Sequence, residues 1–267
     1  MARSALPLAG AESPRPGDTY VQSFARGLTV IRSFSAAHPE QTLSEVSAHT
    51  GLTRAGARRI LLTLLQLGYV DLRGRQFRLT PRILDLGFAY LSSLPLWNRA
   101  EPVMEELVGE LKESCSAAVL DGAEIVYVQR VPTHKIMSIT LGVGSRLPAW
   151  CTSMGRVLLA DLDDAELDRR LAASKIEAHT PSTLTDLERL RQAIAAVRQQ
   201  GWCLVDQELE EGLVSLAAPI RQGQRTIAAL NVSGQANRTS AEVMRERFLP
   251  RLLDAADRIS KMLPAGV

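Results

Sequence analysis

Residues 51–82 read GLTRAGARRILLTLLQLGYVDLRGRQFRLTPR. The first half predicts a helix, because its apolar residues recur at helical spacing: Ala57, Ile60, Leu61, Leu64 and Leu67. Thr53 is a natural N-cap for that helix, and Gly68 ends it. The second half alternates like two strands, Tyr69–Leu72 and Gln76–Leu79, around Arg73-Gly74-Arg75. The stretch therefore predicts a helix followed by a basic hairpin.

Two shorter helices are predicted before this stretch. A helical stripe runs from Ser23 to Ala36, and Pro39 ends it. The segment Thr42-Leu43-Ser44-Glu45 has the pattern of a capping box, which opens a helix that ends at Gly51. Helix, short helix, glycine turn, arginine-tipped helix and basic hairpin is the element order of a winged helix-turn-helix, here predicted over residues 21–80.

Positive charge is concentrated in this N-terminal part. The whole sequence has a net charge of +2. Between Val21 and Ser93 nine arginines face four acidic residues, which gives 9 − 4 = +5; residues 1–20 are neutral, so the remainder carries 2 − 5 = −3. A small basic domain joined to a mildly acidic one indicates a nucleic-acid partner for the first domain only. A solvated basic face on a protein-binding module is the alternative.

The predicted DNA-binding residues lie early in the third helix and at the tip of the hairpin: Thr53, Arg54, Arg58, Arg59, Arg73 and Arg75. The N-terminal part of a recognition helix enters the major groove, where arginine binds guanine bidentately. Arginines on a wing suit the DNA backbone or a minor groove. Gly56, which costs about 1 kcal/mol relative to alanine inside a helix, either permits close approach to DNA or is simply tolerated.

Residues 81–95 are predicted to form a linker helix. Thr80-Pro81 begins it and Leu94-Pro95 ends it, and its apolar residues cover much of the circumference, so we expect it to pack against a second copy of the chain. From residue 96 to residue 267 helices and strands mix, which predicts an α+β domain. Local signals there predict these elements: a helix over Glu101–Glu113, a strand over Met137–Leu141, a loop over Gly142–Pro148, a helix capped at Thr185 and a break at Pro250.

Composition argues against several classes of protein. The sequence has no apolar run long enough to span a membrane. Residues 1–20 lack the apolar core of a signal peptide and are interpreted as a disordered lead-in, so a cytoplasmic protein is expected. The three cysteines are dispersed, and no two of the four histidines are spaced as metal ligands on one helix. Neither a disulfide framework, nor a metal, nor a cofactor is expected.

Several segments resemble the IclR family of bacterial regulators, from residue 21 to residue 263. They are SFARGL (23–28), GLTR (51–54), LGYV (67–70), AWCTSMGRVLLA (149–160), DQELEEG (206–212) and AAPI (217–220). Within that family, GLTRAGARR (51–59) and RVPTHKIM (130–137) are most similar to the PcaR-, PcaU- and PobR-like regulators of aromatic-acid and β-ketoadipate catabolism. The resemblance implies a GAF-like effector domain, dimers that pair into tetramers, and palindromic operator DNA.

The predicted effector is a small carboxylate, either an aromatic acid or a metabolite of the β-ketoadipate pathway. Ser153 begins a helix, and the free amides at a helix start favour an anion; an ordinary cap without a ligand is the alternative. The resemblance places effectors near this segment and near the strands after Asp206. The candidate effector-binding residues are therefore Trp150, Ser153, Met154, Gly155, Asp206, Glu208, Ser215 and Asn231.

Different roles are open to these candidates. Trp150 and Met154 suit the apolar wall around a ring, and equally suit the core. Asp206 and Glu208 suit hydroxyl donors on a ligand, but would repel its carboxylate. The cationic cluster of Arg130, His134 and Lys135 either complements a second carboxylate or, as we interpret it, forms a charged surface loop.

A small-molecule enzyme with an accessory nucleic-acid- or protein-binding module is the alternative function. Cys151 or Ser153 would then be the nucleophile. The sequence offers no G-x-S-x-G elbow, no nearby histidine, no glycine-rich phosphate loop and no metal-ligand spacing. Catalysis would also leave the basic N-terminal domain unexplained, so the prediction is a regulator and not an enzyme.

Overall fold

The computed structural model describes residues 20–93, 96–133 and 141–263. The chain divides into two compact units, one up to Tyr90 and one from Leu91 onward. Residues 134–140 lie outside the described residues, and with them His134, Lys135 and most of the predicted strand at 137–141. No helix in the described ranges is both long enough and apolar enough to cross a bilayer.

Three helices form the first half of the N-terminal unit: α1 (Gln22–Ser33), α2 (Leu43–Thr50) and α3 (Arg54–Gln66). The predicted capping box is present at α2, where Thr42 and Glu45 each accept the other's backbone N–H. Gly51 ends α2 with a φ of 68°, a conformation that glycine adopts without strain. The first helix ends three residues earlier than predicted, because Phe34 is already extended.

The hairpin follows as β2 (Val70–Arg73) and β3 (Gln76–Leu79), with Gly74 at the tip. A third strand, β1 (Glu40–Thr42), pairs with β3 and was not predicted. Its three residues show no alternating pattern, and its partner lies more than thirty residues away. Helices and hairpin enclose one core, whose fully buried members include Val30, Val46, Ala57 and Leu61, so the winged helix-turn-helix is confirmed.

The segment after β3 is tied to the end of α3. Thr80 Oγ1 donates to the Gly68 carbonyl oxygen at 2.6 Å, and Arg82 Nη1 donates to the Leu67 carbonyl oxygen at 2.7 Å. The Arg82 guanidinium also lies over the Tyr69 ring, 5.9 Å from its centroid. A 3₁₀ turn (Pro81–Ile83) leads into α4 (Leu84–Ser92). We refer to the contacts of Thr80 and Arg82 with residues 67–69 as the helix-end clamp.

The C-terminal unit is built on one antiparallel sheet in the order β6-β5-β4-β9-β8-β7. The strands are β4 (Ser114–Asp121), β5 (Glu124–Val131), β6 (Arg146–Pro148), β7 (Cys203–Asp206), β8 (Leu213–Gln222) and β9 (Arg225–Gln235). The side of the sheet with Leu216 and Leu230 packs on α5 (Leu96–Leu111) and α10 (Leu249–Lys261), and the side with Ala217 and Ala229 faces α6 (Ser153–Leu159). The predicted α+β domain is confirmed.

The remaining helices are α7 (Asp164–Ala172), α8 (Leu187–Gln200) and α9 (Ala241–Val243). Several boundaries differ from those predicted. Asp186, not Thr185, caps α8. The helix predicted from Glu101 already begins at Leu96, because Leu96, Trp97 and Ala100 are buried in the core. The predicted loop at 142–148 contains β6, and the break expected at Pro250 falls earlier, in a π-helical turn at Met244–Phe248.

Candidate functional site

The first turn of α3 presents arginines to solvent. Thr53 caps the helix, accepting the Gly56 N–H at 3.2 Å. Arg54, Arg58 and Arg59 are all exposed, whereas Ala57, between them in sequence, is completely buried. None of the three arginines forms an ion pair with another described residue. Their guanidinium groups are therefore available to an anion outside the protein.

Gly56 has a local explanation. It is the third residue of α3, and a Cβ added there would lie 3.2 Å from the Thr53 Oγ1 that caps the helix. The glycine thus makes room for the cap in a first turn, where it interrupts less of the helix than an interior glycine would. Close approach to DNA is not needed to account for it.

The two arginines of the wing have different surroundings. Arg75 is exposed, and Arg73 lies 3.8 Å from Asp71, which also accepts a 3.0 Å bond from Arg78. An exposed ion pair of that length contributes little to stability, so it does not hold Arg73 against a competing phosphate. Both wing arginines therefore remain predicted DNA contacts.

A cavity lies between α6 and the sheet of the C-terminal unit. Its empty space, open mouth included, is about 640 Å³. Polar side chains line it from four strands and from α6: Ser116, Arg130, Ser153, Ser215, Asn231 and Ser233. Apolar walls face them: Tyr127, Leu147, Met154, Val205, Leu209 and Leu213. Such a mixture of apolar walls with a few converging polar groups is typical of a small-molecule site.

Three hydroxyls and one amide form a connected cluster in the cavity. Ser153 Oγ and Ser215 Oγ are 2.7 Å apart, and Ser215 Oγ and Ser233 Oγ are 3.0 Å apart. Asn231 Nδ2 donates to Ser215 at 3.0 Å and to Ser233 at 2.9 Å. Asn231 Oδ1 is buried and has no hydrogen-bond partner among the described residues. We call these four residues the hydroxyl–amide cluster.

Arg130 supplies the charge of the cavity. It is the only charged residue among the described lining residues, and its only hydrogen bond to the described part of the chain is a long one, 3.5 Å from Nη1 to Ser116 Oγ. Burial raises the pKa of the neighbouring Tyr127 to about 12, against a smaller lowering by the charge of Arg130. An arginine that lines a cavity and has no carboxylate partner among the described residues favours an anionic ligand.

The structure brings four of the eight predicted effector residues to the cavity: Ser153, Met154, Ser215 and Asn231. Trp150 is a core residue instead, and its ring stacks on His179 with centroids 5.8 Å apart. Gly155 faces backbone, because a Cβ there would lie 2.0 Å from the Ala149 carbonyl oxygen. These two residues shape the start of α6 without lining the cavity.

Glu208 and Asp206 lie outside the cavity lining as well. Both Glu208 oxygens accept bonds from Arg156, at 2.7 and 2.6 Å, and the Arg156 side chain is only 5% exposed. Arg156 also donates from Nε to the Trp150 carbonyl oxygen at 2.8 Å. Asp206 is exposed at the end of β7. The Glu208 carboxylate is therefore occupied by a buried arginine and does not face a ligand.

Three polar residues of the cavity were not predicted from the sequence: Arg130, Ser114 and Ser116. Arg130 was interpreted as part of a surface loop, whereas it lies in β5 and points at the cavity. Ser114 and Ser116 were not singled out, although serines two apart in a buried strand share one face of the sheet. That alternation was the signal available in the sequence.

The environment of the two candidate nucleophiles does not suit catalysis. Burial raises the pKa of the Cys151 thiol to about 12, so the reactive thiolate is scarce near neutral pH. Ser153 contacts the hydroxyl of Ser215, and no histidine is among the described lining residues. A base that would activate either nucleophile is thus missing from the described part of the cavity.

A winged helix with unpaired arginines, on the same chain as a unit that encloses a polar cavity, defines a ligand-responsive DNA-binding regulator. The family comparison gives the same class more narrowly. Residues 23–74 match the IclR helix-turn-helix domain, and residues 88–261 match the C-terminal domain of the bacterial transcriptional regulator IclR. The chain belongs to the IclR family of transcription regulators.

Individual relatives match along most of the chain. The Pca regulon regulatory protein of Pseudomonas putida is 45% identical over 239 residues, which is 89% of this chain and 82% of that protein. A transcriptional regulator of Rhodococcus sp. RHA1 has a solved structure with 51% identity and a TM-score of 0.81, covering 91% of this chain and 98% of that one. An IclR homolog of Microbacterium hydrocarbonoxydans, solved in complex with 4-hydroxybenzoate, is 26% identical with a TM-score of 0.80, covering 92% and 100%.

Proposed function

We propose that this regulator binds palindromic operator DNA in the cytoplasm as a dimer or tetramer, and that a small carboxylate in the cavity controls it. The acid is aromatic or belongs to the β-ketoadipate pathway. One observation carries the effector assignment: Arg130 is the single charged residue of the described cavity lining and has no carboxylate partner among the described residues. The 4-hydroxybenzoate bound by the Microbacterium homolog supports the same class of ligand.

The DNA contacts are proposed for Thr53, Arg54, Arg58 and Arg59 on α3 and for the wing arginines. Support comes from the exposure of the arginine side chains beside a buried helix face. A recognition helix with this arrangement places its first turn in the major groove. Arginine there reads guanine or grips phosphate, and the salt dependence of binding separates the two uses.

Self-association is proposed through α4. Leu84 and Phe88 on this helix are 69% and 70% exposed, and Leu86 is 51% exposed. A soluble chain seldom leaves several large apolar side chains of one helix in water, and a second copy would cover them. In sedimentation at micromolar concentration the chain should therefore exceed its own mass of 29.1 kDa. A monomer alone would contradict this assembly, and Phe88→Ser should weaken it.

The effector proposal is tested by calorimetry on the full chain with aromatic and dicarboxylic acids. An acid at a hundred times its dissociation constant should stabilise the C-terminal unit by about 2.7 kcal/mol. Ser153→Trp, which fills the cavity, should abolish binding while leaving DNA affinity without ligand unchanged. Ala195→Trp introduces the same side chain on the exposed side of α8 and should change neither acid binding nor DNA affinity. Absence of heat with every acid would refute the ligand class, and unchanged affinity in Ser153→Trp would refute the site.

A further inference from the structure

Two polar groups of the cavity have unmet bonding capacity. The Arg130 guanidinium has one long bond to a described residue, and Asn231 Oδ1 has none. A buried polar atom without a hydrogen-bond partner has lost its bonds to water without gaining others, which costs free energy. Such atoms therefore usually bond to an ordered water or a ligand. We propose that the effector is an acid with two polar ends, a carboxylate at Arg130 and a hydroxyl that donates to Asn231 Oδ1. This inference rests on the acid effector proposed above.

The strand register places the residues proposed for the two ends of the ligand, Arg130 and Asn231, in one row across the sheet. Ser116 of β4 is paired with Arg130 of β5 on one side and with Asn231 of β9 on the other. Directly paired residues point to the same face of a sheet. Adjacent strands are about 4.8 Å apart, so the Arg130 and Asn231 backbones are roughly 10 Å apart. The Arg130 guanidinium reaches along this row as far as Ser116, so both proposed contacts of the ligand lie on one face of the sheet.

The hydroxyl–amide cluster is equipped to recognise the second polar end. Both Asn231 Nδ2 bonds are made within the cluster, which leaves Oδ1 as an acceptor for a donor on the ligand. The Ser153 and Ser215 hydroxyls can donate or accept, because either atom of that pair can be the donor. Leu147, Met154 and Leu209 enclose the space between the two ends. An acid whose far end is apolar would leave Oδ1 unpaired.

Two pairs of acids test this inference by calorimetry on the full chain: 4-hydroxybenzoate against benzoate, and 6-hydroxyhexanoate against hexanoate. The wild-type chain should bind the two-ended acid of at least one pair about tenfold more tightly or better, since the one-ended acid leaves a buried acceptor unsatisfied. Asn231→Leu should bring that ratio close to one. Arg130→Gln should weaken both members of the pair by a similar factor and keep the ratio.

A conservative variant identifies the second group. Asn231→Asp keeps an acceptor in the same place, so it should retain a hydroxylated acid but repel a dicarboxylate, whose second carboxylate would face a like charge. Melting temperatures of the free variants show whether each one folds, and the comparison of acids on the wild-type chain needs no variant at all.

The outcomes separate this inference from the function on which it rests. Equal affinities within both pairs, or a preference that survives in folded Asn231→Leu, would overturn the two-ended effector while leaving an acid effector in place. If none of the four acids binds, the acid effector itself fails and the inference with it. A preference lost in Asn231→Leu and kept in Arg130→Gln would establish Asn231 as the residue that sets effector specificity.

Discussion

Arginines in the two units differ in how often a described carboxylate pairs with them. In the winged-helix unit Arg54, Arg58 and Arg59 face solvent, and the ion pairs between described residues there involve Asp71 alone. In the C-terminal unit carboxylates accompany many arginines, from the buried pair of Arg156 and Glu208 to the exposed pair of Arg258 and Glu106. An arginine that pairs with a carboxylate of the same chain contributes to the fold, whereas an arginine without such a partner is free to bind an anionic ligand.

Among the arginines of the C-terminal unit that have no described carboxylate partner, Arg130 alone is not exposed. It belongs to the well-paired unit, yet no described carboxylate pairs with it, and it points into a cavity. Both proposed anion sites of this chain, phosphate at α3 and carboxylate at β5, contain arginine without a described carboxylate partner. The contrast is testable, because the same substitution should have different consequences in different surroundings.

The largest effect is expected at the buried pair. Arg156→Ala would leave Glu208, whose side chain is 12% exposed, as an uncompensated buried charge, and should lower the free energy of unfolding of the C-terminal unit by about 3–5 kcal/mol. Urea unfolding followed by tryptophan fluorescence measures it. Arg258→Ala is the control, because its ion pair with Glu106 is exposed and should contribute far less to the free energy of unfolding. Equal losses in the two variants would break the contrast.

Substitutions on α3 are expected to have a smaller effect, and to change DNA affinity instead of stability. Arg54→Ala and Arg58→Ala should each cost roughly 1–3 kcal/mol in operator affinity if the side chain reads a base. Because both are exposed, neither should change the unfolding free energy by more than about 0.5 kcal/mol.

Fluorescence anisotropy with promoter DNA of the neighbouring operon, at several salt concentrations, checks this prediction. A variant that loses one phosphate contact should weaken binding to all sequences and reduce the salt slope by about one. Glu40→Ala, an exposed change on β1 of the same unit, serves as the control. Wild-type affinity in both arginine variants would refute the assignment of α3 as the recognition helix.

The smallest effect is expected at the helix-end clamp. Arg82→Met keeps the apolar stem but removes the bond to the Leu67 carbonyl oxygen, and should cost about 1 kcal/mol locally. Hydrogen exchange of the Gly68 and Tyr69 amides, which bond back into α3, should then be several times faster. Arg75→Met, at the wing tip, should leave these amides unchanged, and an identical exchange rate in both variants would count against the clamp.

Local patterns in the sequence were sufficient for the winged helix. The capping box at Thr42, the stop at Gly51 and the cap at Thr53 involve neighbours within a few residues, so each leaves a short-range signal. The strand β1 leaves none, because its three residues are defined only by pairing with β3. Short-range signals therefore predict helices and turns better than short strands.

The cavity was harder to predict because distant pairings assemble it. Ser153 and Ser215 lie 62 residues apart in sequence, and Arg156 and Glu208 lie 52 apart. Nothing local indicates that Glu208 is occupied by an arginine, or that Arg130 shares a row with Asn231. Residue types alone identified Ser153, Met154, Ser215 and Asn231 as candidates, but only the strand register shows how far apart the charged and the polar ends of the cavity lie.

The helix-end clamp has a mechanical consequence. The chain leaving the wing is anchored at the Leu67, Gly68 and Tyr69 carbonyls, and not to the hairpin tip. A displacement of the start of α4 would therefore act first on residues 67–69, at the C-terminal end of α3. Gly68 has a φ of 79°, and an added Cβ would lie 2.9 Å from Arg82 Nη1, so a larger residue there would strain the backbone and displace the Arg82 side chain from the helix-end clamp.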